Sequence, residues 1–165
     1  MSREISIELE VNRRSIRLEV APNETLAQLL RDRLSLHGTK VSCDAQVCGT
    51  CTVLVDGSAV SSCTFLAADA HGTRVTSVEG LAEAGTGRLA RVQRAFVERA
   101  AFQCGYCTAG FLTSATALLT EVPNPTRGQV VDYLEGNICR CTGYDAIIAA
   151  VLDAAGDDAD GTTST

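Results

Sequence analysis

The residues with the most chemistry to offer are eight cysteines, and they fall into two quartets, one in each half of the chain. The first is Cys43-x4-Cys48-x2-Cys51, followed after eleven intervening residues by Cys63; the second is Cys104-x2-Cys107, followed after thirty-one intervening residues by Cys139-x-Cys141. The first is the spacing of a plant-type [2Fe–2S] site. A tight loop turns three sulfurs toward one small inorganic core, and the fourth arrives from beyond an Asp56-Gly57 hairpin to close the cage. Gly49, between Cys48 and Cys51, lacks a Cβ and can take a positive φ that brings its amide close to a sulfur. Such N–H···S bonds offset the cluster's negative charge and tune its potential. The second quartet puts two short cysteine pairs at the edges of predicted helices, with Gly105 and Gly143 beside them, so packed helices can gather four thiolates around a second core. Two four-cysteine zinc sites are the main rival, but structural zinc sites usually pair two C-x2-C units and neither quartet does. Disulfides are a poorer reading, because Cys139-x-Cys141 is an awkward staple and the chain reads as a resident of a reducing compartment.

Composition narrows the setting. The chain has 165 residues, 45% of them hydrophobic and 21% charged, enough for a packed core in one domain or two small ones. A net charge of −6 argues against nucleic acid and against an anionic membrane face. No apolar run approaches the roughly 20 residues of a membrane helix, and the N-terminus lacks a signal-peptide core, so a cytoplasmic location is expected.

The elements that must hold the cysteines differ between the halves. Ile5, Ile7, Leu9 and Val11 alternate with polar residues, as do Ile16, Leu18 and Val20, predicting a hairpin turned at Asn12-Arg13-Arg14. Thr25 and Gln28 have capping-box spacing before a helix striped with Leu26, Leu29, Leu30 and Leu34. Cys51–Val55 and Val60 flank the Asp56-Gly57 turn, and Arg74–Val78 is a further strand. The second half reads as four short helices: one through Leu89, Val92, Phe96 and Ala100, one over Phe111–Thr120 stopped by Pro123-Asn124-Pro125, one from a Thr126/Gln129 capping box to Gly136, and one through Ile147, Ile148, Val151 and Leu152. The predicted class is α+β, with domains at 1–78 and 79–155, a glycine-bearing linker over Glu79–Gly87, and a disordered tail at 156–165.

Four motifs carry a resemblance. Cys43-Asp-Ala-Gln-Val-Cys-Gly-Thr-Cys-Thr-Val53, Val78-Glu-Gly-Leu81, Gln103-Cys-Gly-Tyr-Cys-Thr108 and Gly136-Asn-Ile-Cys-Arg-Cys-Thr-Gly-Tyr144 resemble the iron–sulfur subunit of the molybdenum hydroxylases, over about residues 3–155. That family includes carbon monoxide dehydrogenase, xanthine dehydrogenase, aldehyde oxidoreductase and the N-heteroaromatic hydroxylases. The resemblance implies a β-grasp, ferredoxin-like domain followed by a four-helix bundle. It implies two [2Fe–2S] clusters, one on Cys43, Cys48, Cys51 and Cys63 and one on Cys104, Cys107, Cys139 and Cys141. It further implies a large partner holding a molybdenum-pterin cofactor, usually a medium subunit holding FAD, and a dimer of heterotrimers. Electrons would pass from molybdenum to the bundle cluster, then to the ferredoxin-like cluster, then outward. The residues matching Gln103 and Cys141 contact the pterin in such proteins, Gln103 by its side-chain amide and Cys141 through its backbone.

Ser42, Gln46, Thr50 and Ala109 depart from the usual pattern, which has Gly, Gly or Ser, Ala and Pro there; none removes a ligand. Gln46 and Thr50 border the first cluster and are expected to shift its potential or its contact with a flavin subunit. Arg140, between two ligands, could offset cluster charge or pair with a partner. Tyr106 and Tyr144 read as packing or interface residues, Arg88, Arg91, Arg94 and Arg99 as a solvated or partner-facing helix side, and His37 and His71 lie away from the quartets. No Ser/His/Asp set or carboxylate pair sits in a catalytic frame, so no catalytic residue is assigned. A free-standing two-cluster carrier and a zinc-stabilised interaction module are the alternatives.

Overall fold

The computed structural model describes residues 4–156. The expected tail lies outside the described residues except for Gly156, which ends the last helix. The first half is a mixed five-stranded sheet with strand order β2-β1-β5-β3-β4. β1 (Ile5–Val11) and β2 (Arg14–Val20) form the expected antiparallel hairpin. Its turn is tighter than the sequence suggested: Asn12 and Arg13 alone make it, both at positive φ, and Arg14 already pairs with Val11. β3 (Thr52–Val55) and β4 (Ser58–Ser61) are joined by Asp56-Gly57 as predicted. β5 (Arg74–Thr76) runs parallel to β1 and antiparallel to β3, so it joins the two hairpins into one sheet.

The Thr25/Gln28 capping box forms, with Thr25 Oγ1 accepting from the Gln28 amide and Gln28 Oε1 from the Thr25 amide. The helix it starts differs from the uniform one expected. α1 (Leu26–Gln28) is a single α-turn, and the chain widens into a π-turn over Leu29–Arg33. The wider turn still turns Leu26, Leu29 and Leu30 into the sheet, where all three are fully buried with Ile7, Leu9, Val11, Val20, Val53 and Val75. Side chains of this size each contribute roughly 1.5–3 kcal/mol when fully buried, so that face outweighs the loss of regular helical bonds.

The second half holds α2 (Arg91–Glu98), α3 (Thr108–Glu121), α4 (Arg127–Leu134) and α5 (Asp145–Gly156). Phe96, Phe111, Leu118, Val130, Ile147 and Val151 fill their shared core. The Thr126/Gln129 box caps α4 as expected. The architecture is thus α+β. Among the described residues no helix is long and apolar enough to cross a membrane.

α3 is the element that joins the halves, packing on β3 and β4 as well as on α2 and α4. Its Gly110 explains how closely: a Cβ there would lie 2.1 Å from the Gly49 carbonyl oxygen and 3.0 Å from the Thr50 Cα. Both neighbours are backbone and cannot swing away. Gly110→Ala is therefore expected to destabilise the chain by about 1–3 kcal/mol. Gly128→Ala, in α4 with only Thr126 Oγ1 at 3.9 Å from the added methyl, is expected to stabilise it by about 0.5–1 kcal/mol. Denaturant unfolding of the two variants would show opposite signs; a neutral Gly110→Ala would mean that the α3 contact is loose.

Candidate metal centres

The Cys43–Cys51 loop is shaped by backbone that side chains seldom favour. Asp44, Gln46 and Gly49 all have positive φ, Gly49 at +66° as its position between two cysteines suggested. These inversions turn amides inward. The Ala45 and Val47 amides donate to Cys43 Sγ at 3.4 and 3.3 Å, and the Gln46 amide turns toward Cys63. The Cys43 thiol, held mainly by the Val47, Ala45 and Cys48 amides, is lowered to about 6. Burial acts the other way on Cys63, pushing it up to about 11 against the Gln46 amide. Cys51 and Cys63 are buried, while Cys43 and Cys48 lie nearer the surface.

The second quartet collects at one edge of the helical core. Cys107 immediately precedes α3, and Cys139 and Cys141 lie between α4 and α5. Burial drives Cys107 up to about 12. Burial also opposes ionisation of Cys139, but the Thr142 hydroxyl, 3.2 Å from its sulfur, and the Thr142 and Cys141 amides outweigh it and bring that thiol to about 7. The Cys139 amide donates to the Tyr144 hydroxyl at 3.0 Å, and the Tyr144 ring meets Phe111 edge-on in the core. Tyr144 thus ties the ligand-bearing loop to the packing beneath it. Cys104 and Cys141 are exposed, their sulfurs 3.7 Å apart.

The sulfurs meet in pairs: Cys43 with Cys48, Cys51 with Cys63, Cys104 with Cys141, and Cys107 with Cys139. Two thiolates on one tetrahedral metal at about 2.3 Å stand about 3.8 Å apart, close to the Cys104–Cys141 separation. A binuclear core with two thiolates on each metal asks for two such pairs, whereas one zinc ion would draw all four sulfurs together. Among the described residues no three His, Cys, Asp or Glu side chains close on a single ion. The donor chemistry and the pairing therefore fit a [2Fe–2S] group at each quartet.

Gln103 and Cys141, predicted from separate motifs, are brought together: Gln103 Nε2 donates to the Cys141 carbonyl at 3.1 Å on the exposed side of the quartet. Ser42 and Gln46 are exposed and Thr50 is buried. Ala109 is the second residue of α3, which forms without a proline. His71 accepts from the Glu8 amide at the sheet, away from both quartets. Arg88 and Arg99 pair with Glu83 and Asp153.

Sequence reasoning missed three residues that seat one quartet against the other. Ile138 N–H donates to the Cys48 carbonyl at 3.0 Å, Asn137 Nδ2 to the Gly49 carbonyl at 3.1 Å and Thr113 Oγ1 to the Thr52 carbonyl at 2.8 Å. Tyr106, read from the sequence as a packing or interface residue, joins them, its hydroxyl donating to the Val41 carbonyl at 2.8 Å. Asn137 and Thr113 are buried polar side chains, and their positions inside cysteine-rich and apolar stretches were the available signal.

Residues 9–79 match the 2Fe–2S iron–sulfur cluster binding domain family and residues 77–152 match the [2Fe–2S] binding domain family. The molecule is thus a two-cluster iron–sulfur protein, and the zinc reading gives way. The chain is 49% identical to the nicotine 6-hydroxylase small subunit of Paenarthrobacter nicotinovorans, covering 92% of this chain and 90% of that one. It is 42% identical to the xanthine dehydrogenase iron–sulfur-binding subunit of Escherichia coli O157:H7, over 92% and 95% of the two chains. The structure superposes on quinoline 2-oxidoreductase from Pseudomonas putida 86 with a TM-score of 0.89 at 39% identity, covering 98% of this chain and 100% of that one. The chain belongs to the iron–sulfur, or small, subunit family of the molybdenum hydroxylases, the electron-transfer subunits of oxidoreductase assemblies.

Asn137→Ala removes one of three donors to the Gly49 carbonyl, which keeps the Thr52 hydroxyl at 2.7 Å and the Thr52 amide at 3.2 Å, so the expected cost is that of one hydrogen bond, about 0.5–1.5 kcal/mol. Chemical denaturation of the cluster-loaded chain measures this, and no loss of stability would mean that Asn137 adds nothing to the seam.

Proposed function

We propose that this chain relays electrons from a molybdenum-pterin centre on a large partner, through the Cys104/Cys107/Cys139/Cys141 cluster and then the Cys43/Cys48/Cys51/Cys63 cluster, to an acceptor, usually FAD on a medium partner in this family. The reading divides the chain into a β-grasp, ferredoxin-like domain over 1–78 and a four-helix bundle over 79–155, working in a cytoplasmic dimer of heterotrimers. The mixed sheet with its single short helix and the shared core of α2–α5 support that division.

One observation carries the order of the relay. The bundle quartet has two exposed sulfurs and is also tied to the other quartet. Cys104 and Cys141 are exposed beside Gln103, and Phe102, Tyr106 and Ile138, their near neighbours in sequence, are exposed apolar residues. Exposed apolar side chains next to exposed cysteines suit burial against a partner. The residue covalently before Cys139 donates its amide to the carbonyl of Cys48. A single hydrogen bond thus bridges a ligand-bearing segment of each quartet. Gln103 and Cys141 are the residues that would meet the pterin, the first by its amide and the second through its backbone. The bound clusters supply one-electron acceptor and donor chemistry; the chain orients them, excludes water from the buried sulfurs and offsets their charge with inward-turned amides.

The loaded chain is expected to contain about four irons with matching labile sulfide. Cys43→Ser and Cys107→Ser should each remove one of two distinct EPR signals and halve the iron. The order is tested in the complex with its native large partner. With Cys107→Ser, substrate should no longer reduce the ferredoxin-like cluster at a competent rate, whereas with Cys43→Ser the bundle cluster should still be reduced. Undiminished reduction of the ferredoxin-like cluster without its neighbour would refute the order.

A further inference from the structure

The ferredoxin-like loop contains a residue whose conformation needs explaining. Asp44, Gln46 and Gly49 all adopt positive φ. Gly carries no Cβ to clash, and Asp tolerates this region through short local hydrogen bonds, but Gln has neither advantage. Gln46 sits at φ +57° on the exposed outer face of the loop. A residue held in such a conformation persists when its surroundings over-determine it.

Two contacts do so, and both reach the same segment. The Gln46 amide turns toward Cys63 and lowers that thiol against its burial. The Gln46 side chain, through Oε1, accepts from Thr64 Oγ1 at 3.0 Å. That hydroxyl could instead turn to the Ser61 carbonyl, but at 3.4 Å the alternative is longer. Gln46 therefore grips Cys63 by its main chain and the next residue by its side chain, across seventeen positions of sequence. The side-chain bond locks the peptide plane whose N–H faces the sulfur.

We propose that Gln46 and Thr64 form a positioning pair that holds the Gln46 N–H on the Cys63 sulfur and so keeps the reduction potential of the ferredoxin-like cluster raised. The physical reason is charge. Reduction adds an electron to a cluster that is already anionic, and an aligned N–H dipole stabilises the reduced form more than the oxidised one. Without the latch the peptide can rotate, the N–H···S bond lengthens and the potential falls. The inference rests on the proposed reading that Cys63 is a ligand of this cluster.

The test is an EPR-monitored redox titration of the full chain carrying both clusters. Thr64→Val keeps the side-chain shape and removes the donor; Thr64→Ser keeps the donor; Gln46→Gly removes the acceptor and relaxes the backbone. Thr64→Val and Gln46→Gly are expected to lower the reduced-to-oxidised ratio of the ferredoxin-like cluster at least threefold at fixed potential, about 28 mV for a one-electron couple at 59 mV per tenfold. Thr64→Ser should match the unsubstituted chain, and the bundle cluster's midpoint should stay put in all three. An unmoved ferredoxin-like midpoint in both Thr64→Val and Gln46→Gly overturns the proposal, as does an equal shift in Thr64→Ser. If the unsubstituted chain shows two cluster signals and Cys63→Ser leaves both intact, the assignment of Cys63 fails instead, and the latch with it.

Discussion

Everything else in this molecule depends on how closely α3 is allowed to approach the first cysteine loop. Gly110 stands where any side chain would collide with the Gly49 carbonyl, and Gly49 stands where a side chain would collide with Asn137 Nδ2 and the Gly136 carbonyl, at 2.5 and 2.6 Å. Two missing Cβ atoms thus create a seam of backbone against backbone. Across it the carbonyls of Cys48, Gly49 and Thr52 find donors on Ile138, Asn137 and Thr113. A carbonyl buried in such a seam must be satisfied, so the same hydrogen bonds that stabilise the contact also set its register. The two quartets are thereby held in one fixed relation.

The quartets then differ by environment, though each has four cysteines. Cys51 and Cys63 are buried with Ala27, and Val41 packs against them, so water is kept from that side of the first quartet. Cys104 and Cys141 face outward beside Gln103. Burial raises the Cys63 and Cys107 thiols, and inward amides or hydroxyls lower Cys43 and Cys139. Each quartet therefore joins one readily ionised thiol to a reluctant one. A metal core that bound both would supply the energy to deprotonate the buried partner and so would couple cluster assembly to the closing of each site.

Local signals were legible wherever the physics is local. Alternation at Ile5–Val11 and Arg14–Val20, the Asp56-Gly57 turn, and the two Thr/Gln capping boxes all involve residues within four positions of one another, and the strands, hairpin and caps follow them. The prediction failed where burial overrode propensity. Leu26, Leu29, Leu30 and Leu34 read as one helical stripe, yet the backbone opens into a π-turn after Gln28 so that Leu29 and Leu30 are both fully buried.

The sequence by itself determined the chemistry of the chain. Cysteine number and spacing specify the ligand type and the two-site organisation, because a small inorganic core tolerates few loop lengths between its sulfurs. Only the tertiary structure decided which sulfurs meet in pairs, which quartet is exposed, and that Ile138 lies one hydrogen bond from Cys48. Those facts arise from contacts between residues up to ninety positions apart, formed by packing α3 onto β3. No periodicity or spacing encodes such a contact, since it depends on the absence of two side chains, Gly49 and Gly110, that become neighbours only when the chain is folded.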